Sequence, residues 1–326
     1  MPYQRDLLPS FAGINSFARA PRGSFKDVEA GCVAVVGIAH DATSTSRQGV
    51  RQGPRAIREA SADFIYDLQA SESGALIDVI SGRVLNLPRE SALVDLGHIS
   101  VSSMDLQKTL DGCHEAFSRI AESGGFPVAL GGDRFITFPL VGGLAAGLGE
   151  EVGLIRLSGQ LSLADTDNGH GPDWTGASLR RILDAGHAKA RNTVCIGVQG
   201  YIPYREWDYA RAQGVTVITA DSVKEQGPKA TAQRALELAG DGCSAVYVSL
   251  DIGVVDSGYA SGTADIVVGG LVPRDLLALM RELSACPKIA ALDVVEVAPG
   301  LDVRGRSERL AAQSIIELIA PRVFGS

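Results

Sequence analysis

The residues around Asp251 have the spacing of a metal-binding strand, but one ligand is missing. Asp251 follows the β-branched run from Ala245 to Leu250, and Gly253 stands two residues further on. Side chains two residues apart on a strand point to the same side, so two carboxylates at these positions would bind a pair of divalent cations. Because Gly253 has no side chain, the segment indicates a metal-binding strand that has lost a ligand.

Eight short apolar runs alternate with longer segments of helical periodicity, and these elements must position Asp251 and its neighbours. The apolar runs are Val33 to Ile38, Ala92 to Leu96, Pro127 to Leu130, Val152 to Leu157, Thr193 to Val198, Val215 to Thr219, Ala245 to Leu250 and Ile289 to Val295. The helical segments are Pro54 to Leu68, Asp105 to Ser123, Tyr204 to Gln213, Lys229 to Ala239, Pro273 to Ser284 and Ser307 to Ile319. The alternation predicts a three-layer α/β/α fold with an eight-stranded, mostly parallel sheet.

The domain organisation follows from the same pattern. No Pro/Ser-rich linker or block of charge divides the alternation, so we expect one α/β domain over residues 31–326 and an N-terminal extension over residues 1–30. Polar residues fall at or just after several strand ends, namely Gly131 to Asp133, Ser158 to Ser162, Asp251 and Glu296. Ligands of parallel sheets bind at the carboxyl ends of strands, so these residues are expected on one rim.

Composition excludes several classes of function. A net charge of -8 and a pI near 5.2, with basic residues scattered among acids, argue against binding to nucleic acid. No apolar run approaches the roughly 20 residues that a membrane span needs, and no apolar leader is present near Met1. The five cysteines are far apart and have no metal-binding spacing. We therefore expect a cytoplasmic protein without a membrane partner.

Several motifs resemble those of the ureohydrolases, the arginase and agmatinase family. The matching segments are Gly37 to Asp41, Gly49 to Arg58, Ile196 to Gly200, Gly269 to Leu271 and Asp293 to Pro299. The likeness extends over about residues 33–319. It implies an arginase-like fold, assembly as a trimer or hexamer, and hydrolysis of guanidino groups at a dinuclear manganese or nickel centre.

The resemblance also implies where the metal ligands would stand. The family motifs G-G-D-H, D-A-H-x-D and S-x-D-x-D place them at Arg134, at Ser158, Gln160 and Ser162, and at Asp251 and Gly253. Five of these six positions lack the family's ligand. Neutral side chains do not offset the charge of two dications, and Arg134 adds a permanent cation. We therefore predict no metal cofactor in this chain, and no hydrolysis by the chain alone.

Three retained residues allow more than one interpretation. Asp251 is expected to form an ion pair with Arg134 that replaces the lost metals. Glu296 matches the family position that holds the substrate guanidinium, and it either keeps this role or accepts from Arg134. His170 matches the family's loop histidine for proton transfer, although a structural role is favoured here. A relocated metal site involving His40 and His98 is disfavoured, because they come from separate loops without ligand spacing.

The leading hypothesis is a non-catalytic subunit of a heteromeric ureohydrolase complex. The pattern resembles the metal-free subunit of the heteromeric nickel-dependent metformin hydrolase, which releases guanylurea and dimethylamine. A metal-competent paralogue, carrying nickel or manganese, would be the partner. The alternatives are a guanidino-compound binding protein or sensor without turnover, an agmatinase-like homo-oligomeric pseudoenzyme, and a metal-independent enzyme with His170 as base and Ser158 or Ser162 as nucleophile.

Overall fold

The computed structural model describes residues 13, 15–89, 91–166, 169 and 171–325 of the chain. Their strands form one eight-stranded sheet and one separate two-stranded hairpin. The strands are β1 (Val33–Gly37), β2 (Ala75–Ile77), β3 (Val84–Asn86), β4 (Leu93–His98), β5 (Phe126–Leu130), β6 (Val152–Leu157), β7 (Ala188–Val198), β8 (Thr216–Thr219), β9 (Val246–Asp251) and β10 (Ile289–Val295). The α-helices are α1 (Gly53–Ala70), α2 (Leu106–Glu122), α3 (Thr137–Leu148), α4 (Ser178–Asp184), α5 (Tyr204–Gln213), α6 (Ala220–Gln226), α7 (Pro228–Ala239), α8 (Pro273–Ser284) and α9 (Arg306–Val323).

The main sheet has the order β4-β1-β5-β10-β9-β6-β7-β8. Every pairing between its described strands is parallel. The predicted eight-stranded sheet is therefore confirmed, and each strand comes from one of the eight apolar runs. The strands that precede the candidate site residues lie side by side at its centre.

Helices cover both faces of the sheet, because strands of a parallel sheet are apolar on both sides. Alternate residues of β1, Val33 and Ala34, belong to different core clusters on opposite faces. The first cluster takes its α-helical side chains from α1, α6, α7, α8 and α9, for example Ile57. The second takes them from α2, α3, α4 and α5, for example Phe117. The predicted three-layer α/β/α fold is confirmed. None of the helices in the described residues is long and apolar enough to cross a membrane.

The sequence pattern does not predict α3, α4, α6 or the hairpin of β2 and β3. The helix α3 contains Gly142 and Gly143, which disfavour a helix locally, but Gly143 allows α2 and α3 to approach closely. A Cβ at Gly143 would lie 2.3 Å from the carbonyl oxygen of His114 on α2. The helices α4 and α6 have seven residues each, which is too short for a clear period. The strands β2 and β3 have three residues each, which is too short for a clear alternation.

The segment before β1 packs against the domain through Asp95 of β4. The backbone N–H of Phe17, which is fully buried, donates to Oδ2 of Asp95 at 2.7 Å. Arg58 of α1 donates to both oxygens of the same carboxylate, from Nε at 2.7 Å and from Nη2 at 2.9 Å. Residues 1–12 and 14 of the predicted extension lie outside the described residues, and the boundary at residue 31 stays a prediction.

Replacing Arg58 with methionine is expected to lower the free energy of unfolding by about 3–5 kcal/mol, because Asp95 would stay buried without its cation. The two side chains are 4% and 1% exposed. Urea unfolding of the full chain measures the change. Arg55→Met on the same helix is the matched control, since Arg55 is 80% exposed, and its effect should stay within about 1 kcal/mol. Equal losses in the two variants would contradict a structural role for the Arg58 and Asp95 pair.

Candidate functional site

The candidate site lies where the four central strands β5, β10, β9 and β6 reach their carboxyl ends. Neighbouring parallel strands end on one edge of the sheet, so the loops that follow them meet there. Seven predicted positions fall on these loops or strand ends: Arg134, Ser158, Gln160, Ser162, Asp251, Gly253 and Glu296. Six of them contact one another directly or through Arg134. The seventh, Ser162, is bound by a different side chain.

Arg134 is the centre of this cluster, and its side chain is only 2% exposed. Its backbone N–H and its Nε donate to Oε1 of Glu296 at 2.9 and 3.1 Å. Nη1 donates to Oε1 of Gln160 at 2.6 Å and lies 3.6 Å from Oδ2 of Asp251. Nη2 donates to the carboxylate of Asp265. One cation therefore meets three carboxylates, and it pairs with both Asp251 and Glu296.

These carboxylates keep Arg134 charged although it is buried. Burial lowers the pKa of Arg134, but Glu296, Asp251 and Asp265 raise it by more, so that the net shift is upward. The permanent charge of a guanidinium and its several donors suit a site with carboxylates on different sides. The cluster is consequently a fixed ion network at the carboxyl edge of the sheet.

Asp133, the residue before Arg134, orients the loop and does not enter the cluster. Its Oδ1 accepts from the backbone N–H of Phe135 at 3.2 Å, and its Oδ2 accepts from the hydroxyl of Thr43 at 2.7 Å. Burial raises the pKa of Asp133 to about 6, although the hydrogen bonds from Thr43 and Phe135 oppose the rise. The bond from Phe135 caps the short turn that begins at Arg134, and the bond from Thr43 holds the other carboxylate oxygen of Asp133.

Asp251 is held by Ser158 and Gly253 as well as by Arg134. The hydroxyl of Ser158 donates to Oδ2 at 3.0 Å, and the backbone N–H of Gly253 donates to Oδ1 at 2.8 Å. A Cβ at Gly253 would lie 2.9 Å from Oδ1 of Asp251 and 3.1 Å from the carbonyl oxygen of Asp265. A second carboxylate at position 253 would therefore require its neighbours to move.

A second buried arginine, Arg156 on β6, binds the remaining predicted position. Its Nη2 donates to Oγ of Ser162 at 2.9 Å, and its Nη1 donates to the carbonyl oxygens of Leu161 and Gln160 at 2.6 and 3.2 Å. Ser162 has a left-handed backbone with φ of 56°, which is uncommon for a residue other than glycine. The sequence analysis missed the role of Arg156. The presence of a cationic residue inside the apolar run from Val152 to Leu157 is the sequence feature that would have indicated this role, because a buried charge needs partners.

Asp265 is the other functional residue that the sequence analysis missed. It lies in the loop between β9 and α8, where no motif marks it, and its side chain is 29% exposed. In the same loop Val267 packs against Gly159, at which a Cβ would lie 2.6 Å from Cγ2 of Val267. The loop thus closes over the cluster and brings a third carboxylate to Arg134.

Glu296 combines full burial with a strained backbone. Its φ is 67°, and its Oε2 is buried with no hydrogen-bond partner among the described residues. Burial raises the pKa of Glu296, Arg134 lowers it, and the nearby Asp251 and Asp133 add to the rise, so that the net shift is upward. Strained residues are common at functional sites, and the surrounding contacts must hold them in place. Here those contacts come from the Arg134 guanidinium and backbone.

The donors at this site do not fit two divalent cations. Manganese and nickel ions bind carboxylate and imidazole groups, whereas the loop after β6 offers only Ser158, Gln160 and Ser162. The Arg134 guanidinium also lies between Asp251 and Glu296 and would repel a metal there. Within the described part of the chain, no group of three or more His, Cys, Asp or Glu side chains is placed to hold a metal ion.

The histidines considered in the sequence analysis have other partners. Nε2 of His98 lies 3.0 Å from Nη1 of Arg58, and Nε2 of His40 lies 3.9 Å from Oδ2 of Asp133. Burial is the largest cause that lowers the pKa of both histidines. His170 lies outside the described residues, so its predicted loop role stays a prediction.

Asp293 on β10 is a further buried carboxylate, three residues before Glu296. It accepts from the hydroxyl of Tyr247 at 2.8 Å and from the hydroxyl of Ser249 at 2.7 Å. Burial raises the pKa of Asp293 to about 6, while these hydrogen bonds and the charge of Arg156 oppose the rise.

Comparisons with known proteins agree with the fold and the motifs. A family profile described as "Arginase family" matches residues 32–320. The guanidinopropionase of Pseudomonas aeruginosa is 30% identical over 319 residues, which cover 98% of this chain and 94% of that relative. The human mitochondrial guanidino acid hydrolase is 31% identical over 293 residues, covering 88% of this chain and 77% of the relative. The solved structure of proclavaminate amidinohydrolase from Streptomyces clavuligerus is similar with a TM-score of 0.80 at 29% identity, covering 96% of this chain and 98% of that chain.

Replacing Arg134 with methionine is expected to lower the free energy of unfolding by about 3–5 kcal/mol, since Glu296 and Asp251 would keep buried charges without a cation. Denaturant unfolding at neutral pH measures the loss. Arg134→Lys is the matched control, because it keeps the charge and should lose less, although it cannot reproduce the several donors of a guanidinium. A methionine variant as stable as the lysine variant would contradict the charge-compensating role of Arg134.

A pH-dependent change in stability is expected from Asp293. In the folded protein its carboxyl keeps a proton up to about pH 6, whereas its ordinary pKa is 3.8. Between these values the folded state binds more protons than the unfolded state. The stabilising contribution is therefore complete below the unfolded pKa and is lost as the pH rises through 6.

The substitution Asp293→Asn removes this titration and keeps the shape of the side chain. Relative to the wild type, the variant should gain about 1 kcal/mol of stability between pH 5 and pH 7. Urea unfolding at several pH values measures the difference. Asp208→Asn, an exposed substitution on α5, controls for the loss of one negative charge. Parallel stability curves for the wild type and Asp293→Asn over this range would contradict the raised pKa.

Proposed function

The chain belongs to the arginase family, and we propose that it is a metal-depleted, non-catalytic subunit of a heteromeric ureohydrolase complex. In this proposal a metal-competent paralogue binds nickel or manganese and carries out the hydrolysis. The two chains assemble in the cytoplasm as a trimer or hexamer. The substrate of the complex is a guanidino or biguanide compound, with conversion of metformin to guanylurea and dimethylamine as the specific candidate.

The observation that carries this proposal is the position of the Arg134 guanidinium. It lies among Glu296, Asp251 and Asp265, each within ion-pair distance. A buried cation with three carboxylate partners is costly to displace, since Glu296 and Asp251 would be left buried and uncompensated. The chain is therefore better suited to a structural role than to binding two dications.

The substrate class is proposed from the names of the relatives. Guanidinopropionase, guanidino acid hydrolase and agmatinase relatives are 30 to 31% identical to this chain over most of its length. Fold and family alone do not define a substrate, which depends on the groups that touch it. We therefore assign the guanidino substrate to the complex and not to this chain.

Binding of a guanidino compound at Glu296 without turnover is the less favoured alternative. Oε2 of Glu296, which has no hydrogen-bond partner among the described residues, is one acceptor for such a ligand. However, Oε1 already accepts two hydrogen bonds from Arg134, and a bound guanidinium would lie next to this permanent cation. Like charges at close distance oppose each other strongly in a buried site. The internal arginine thus competes with the ligand for the same carboxylate.

Co-expression with a tagged, metal-competent ureohydrolase of the same organism tests the proposal. We expect the untagged chain to co-purify in a fixed ratio, as measured by native mass spectrometry, and the mixed complex to hydrolyse a guanidino or biguanide compound. The chain expressed alone, and then mixed with the purified partner, is the control for exchange. A stable homo-oligomer that never enters the paralogue's assembly would show that the sister-subunit proposal is wrong.

The metal content of the purified chain distinguishes it from the proposed metal-competent partner. Purified alone in the presence of nickel or manganese, the chain is expected to hold far less than one ion per molecule, because its donor set is neutral or paired with Arg134. The metal-competent paralogue, treated in the same way, is the positive control. Near-stoichiometric nickel or manganese in this chain would overturn the proposed absence of a metal centre.

A further inference from the structure

A cavity of about 450 Å³ opens between the carboxyl ends of β7 and β8. Its volume lies in the range of small-ligand sites, which begins near 300 Å³. The walls come from three segments: the loop after β7, the start of α5 and the start of α6. It lies outside the Arg134 cluster, because none of the residues that line it forms a hydrogen bond or an ion pair with Arg134.

Two aromatic side chains and one carboxylate define the chemistry of this cavity. Tyr204 and Trp207 project from the first turn of α5, and they are 77% and 37% exposed. Asp221 lies in the first turn of α6, whose N-cap Thr219 also lines the cavity. Among the described residues that line it, Asp221 is the one with a charged side chain. The cavity therefore combines two aromatic side chains with a single negative charge.

We propose that this cavity binds a small organic cation with alkyl groups, such as an alkylated ammonium or guanidinium ion. Aromatic faces attract cations through the ring quadrupole, and alkyl groups gain from contact with the same rings. Asp221 supplies the opposite charge. An anion finds no Lys or Arg among the described lining residues and would be repelled by Asp221.

The exposed aromatic side chains support a ligand site. Large aromatic surfaces left in contact with water lose the free energy that burial provides, so several exposed together on a pocket indicate a binding surface. Neighbouring Tyr201, in the loop after β7, is also fully exposed. A bound cation would cover the faces of Tyr204 and Trp207 and desolvate them.

The rim of the cavity is connected to the loop that covers the Arg134 cluster. The side-chain amide of Gln199, which lines the cavity, donates to the carbonyl oxygen of Val268 at 2.5 Å. Asp265, three residues earlier in that loop, pairs with Arg134. The proposed site is nevertheless independent of the proposed subunit role, since it needs neither a partner chain nor a metal.

Titration calorimetry of the full wild-type chain with choline tests the proposal. Its neutral isostere 3,3-dimethylbutan-1-ol has the same shape without the charge. A parallel titration with 1,1-dimethylguanidinium shows whether the cavity prefers an ammonium or a guanidinium ion. We expect at least one of the two cations to bind at least about tenfold more tightly than the neutral alcohol. Equal binding of alcohol and cation, or no binding of either cation at about 10 mM, would overturn the proposal.

Substitutions of lining residues test whether the cation binds in this cavity. Asp221→Asn and Trp207→Leu should each weaken cation binding by about tenfold or more, whereas Asp208→Asn removes the same charge from the outer surface of α5 and should not. The chain has two tryptophans, Trp174 and Trp207, so a Trp174→Phe variant makes Trp207 a single fluorescent reporter. Quenching of this reporter by the bound cation supports the site. Unchanged affinity in Asp221→Asn and Trp207→Leu would place the ligand elsewhere and refute it.

Discussion

The arrangement of the carboxyl edge depends on charge compensation around Arg134. A buried guanidinium is tolerated only when carboxylates or other hydrogen-bond acceptors replace its water. Here Glu296, Asp251 and Asp265 do so from three different segments. The loop with Asp265 must therefore close over the sheet, and Gly253 leaves the space that this closure needs. A single side chain thus connects the ends of β5, β9 and β10.

The parallel sheet makes this compensation possible. Loops after β5, β6, β9 and β10 meet at one edge because those strands are neighbours and point the same way. Arg156 stabilises the same edge from within β6. It donates hydrogen bonds to two carbonyl groups of the loop that follows and to the hydroxyl of Ser162. The fold therefore contains two buried cations near positions where the family resemblance implies metal ligands. Both are held by contacts within the chain.

Family membership and chemistry have different physical origins in this protein. The sheet, its helices and the motifs Gly37 to Asp41 and Gly49 to Arg58 depend on apolar periodicity and glycine turns, which tolerate many side-chain changes on the rim. The chemistry of the rim depends on a few ligand types, and a change of His to Arg or of Asp to Ser removes a donor without disturbing the strands. The chain therefore combines a TM-score of 0.80 to a solved amidinohydrolase with a buried ion pair of Arg134 and Glu296 at the carboxyl edge of its sheet.

The sequence by itself determined the eight parallel strands, the longer helices and the family, because periodicity and motifs are local signals. It predicted the loss of metal ligands at Arg134, Ser158 and Gly253. It also predicted an ion pair between Arg134 and Asp251. Only the tertiary structure decided that Glu296 accepts twice from Arg134, that Asp265 joins the cluster and that Arg156 binds Ser162. These contacts join loops far apart in the chain. Their geometry depends on loop closure and charge balance in three dimensions, for which no short stretch of sequence has a signature.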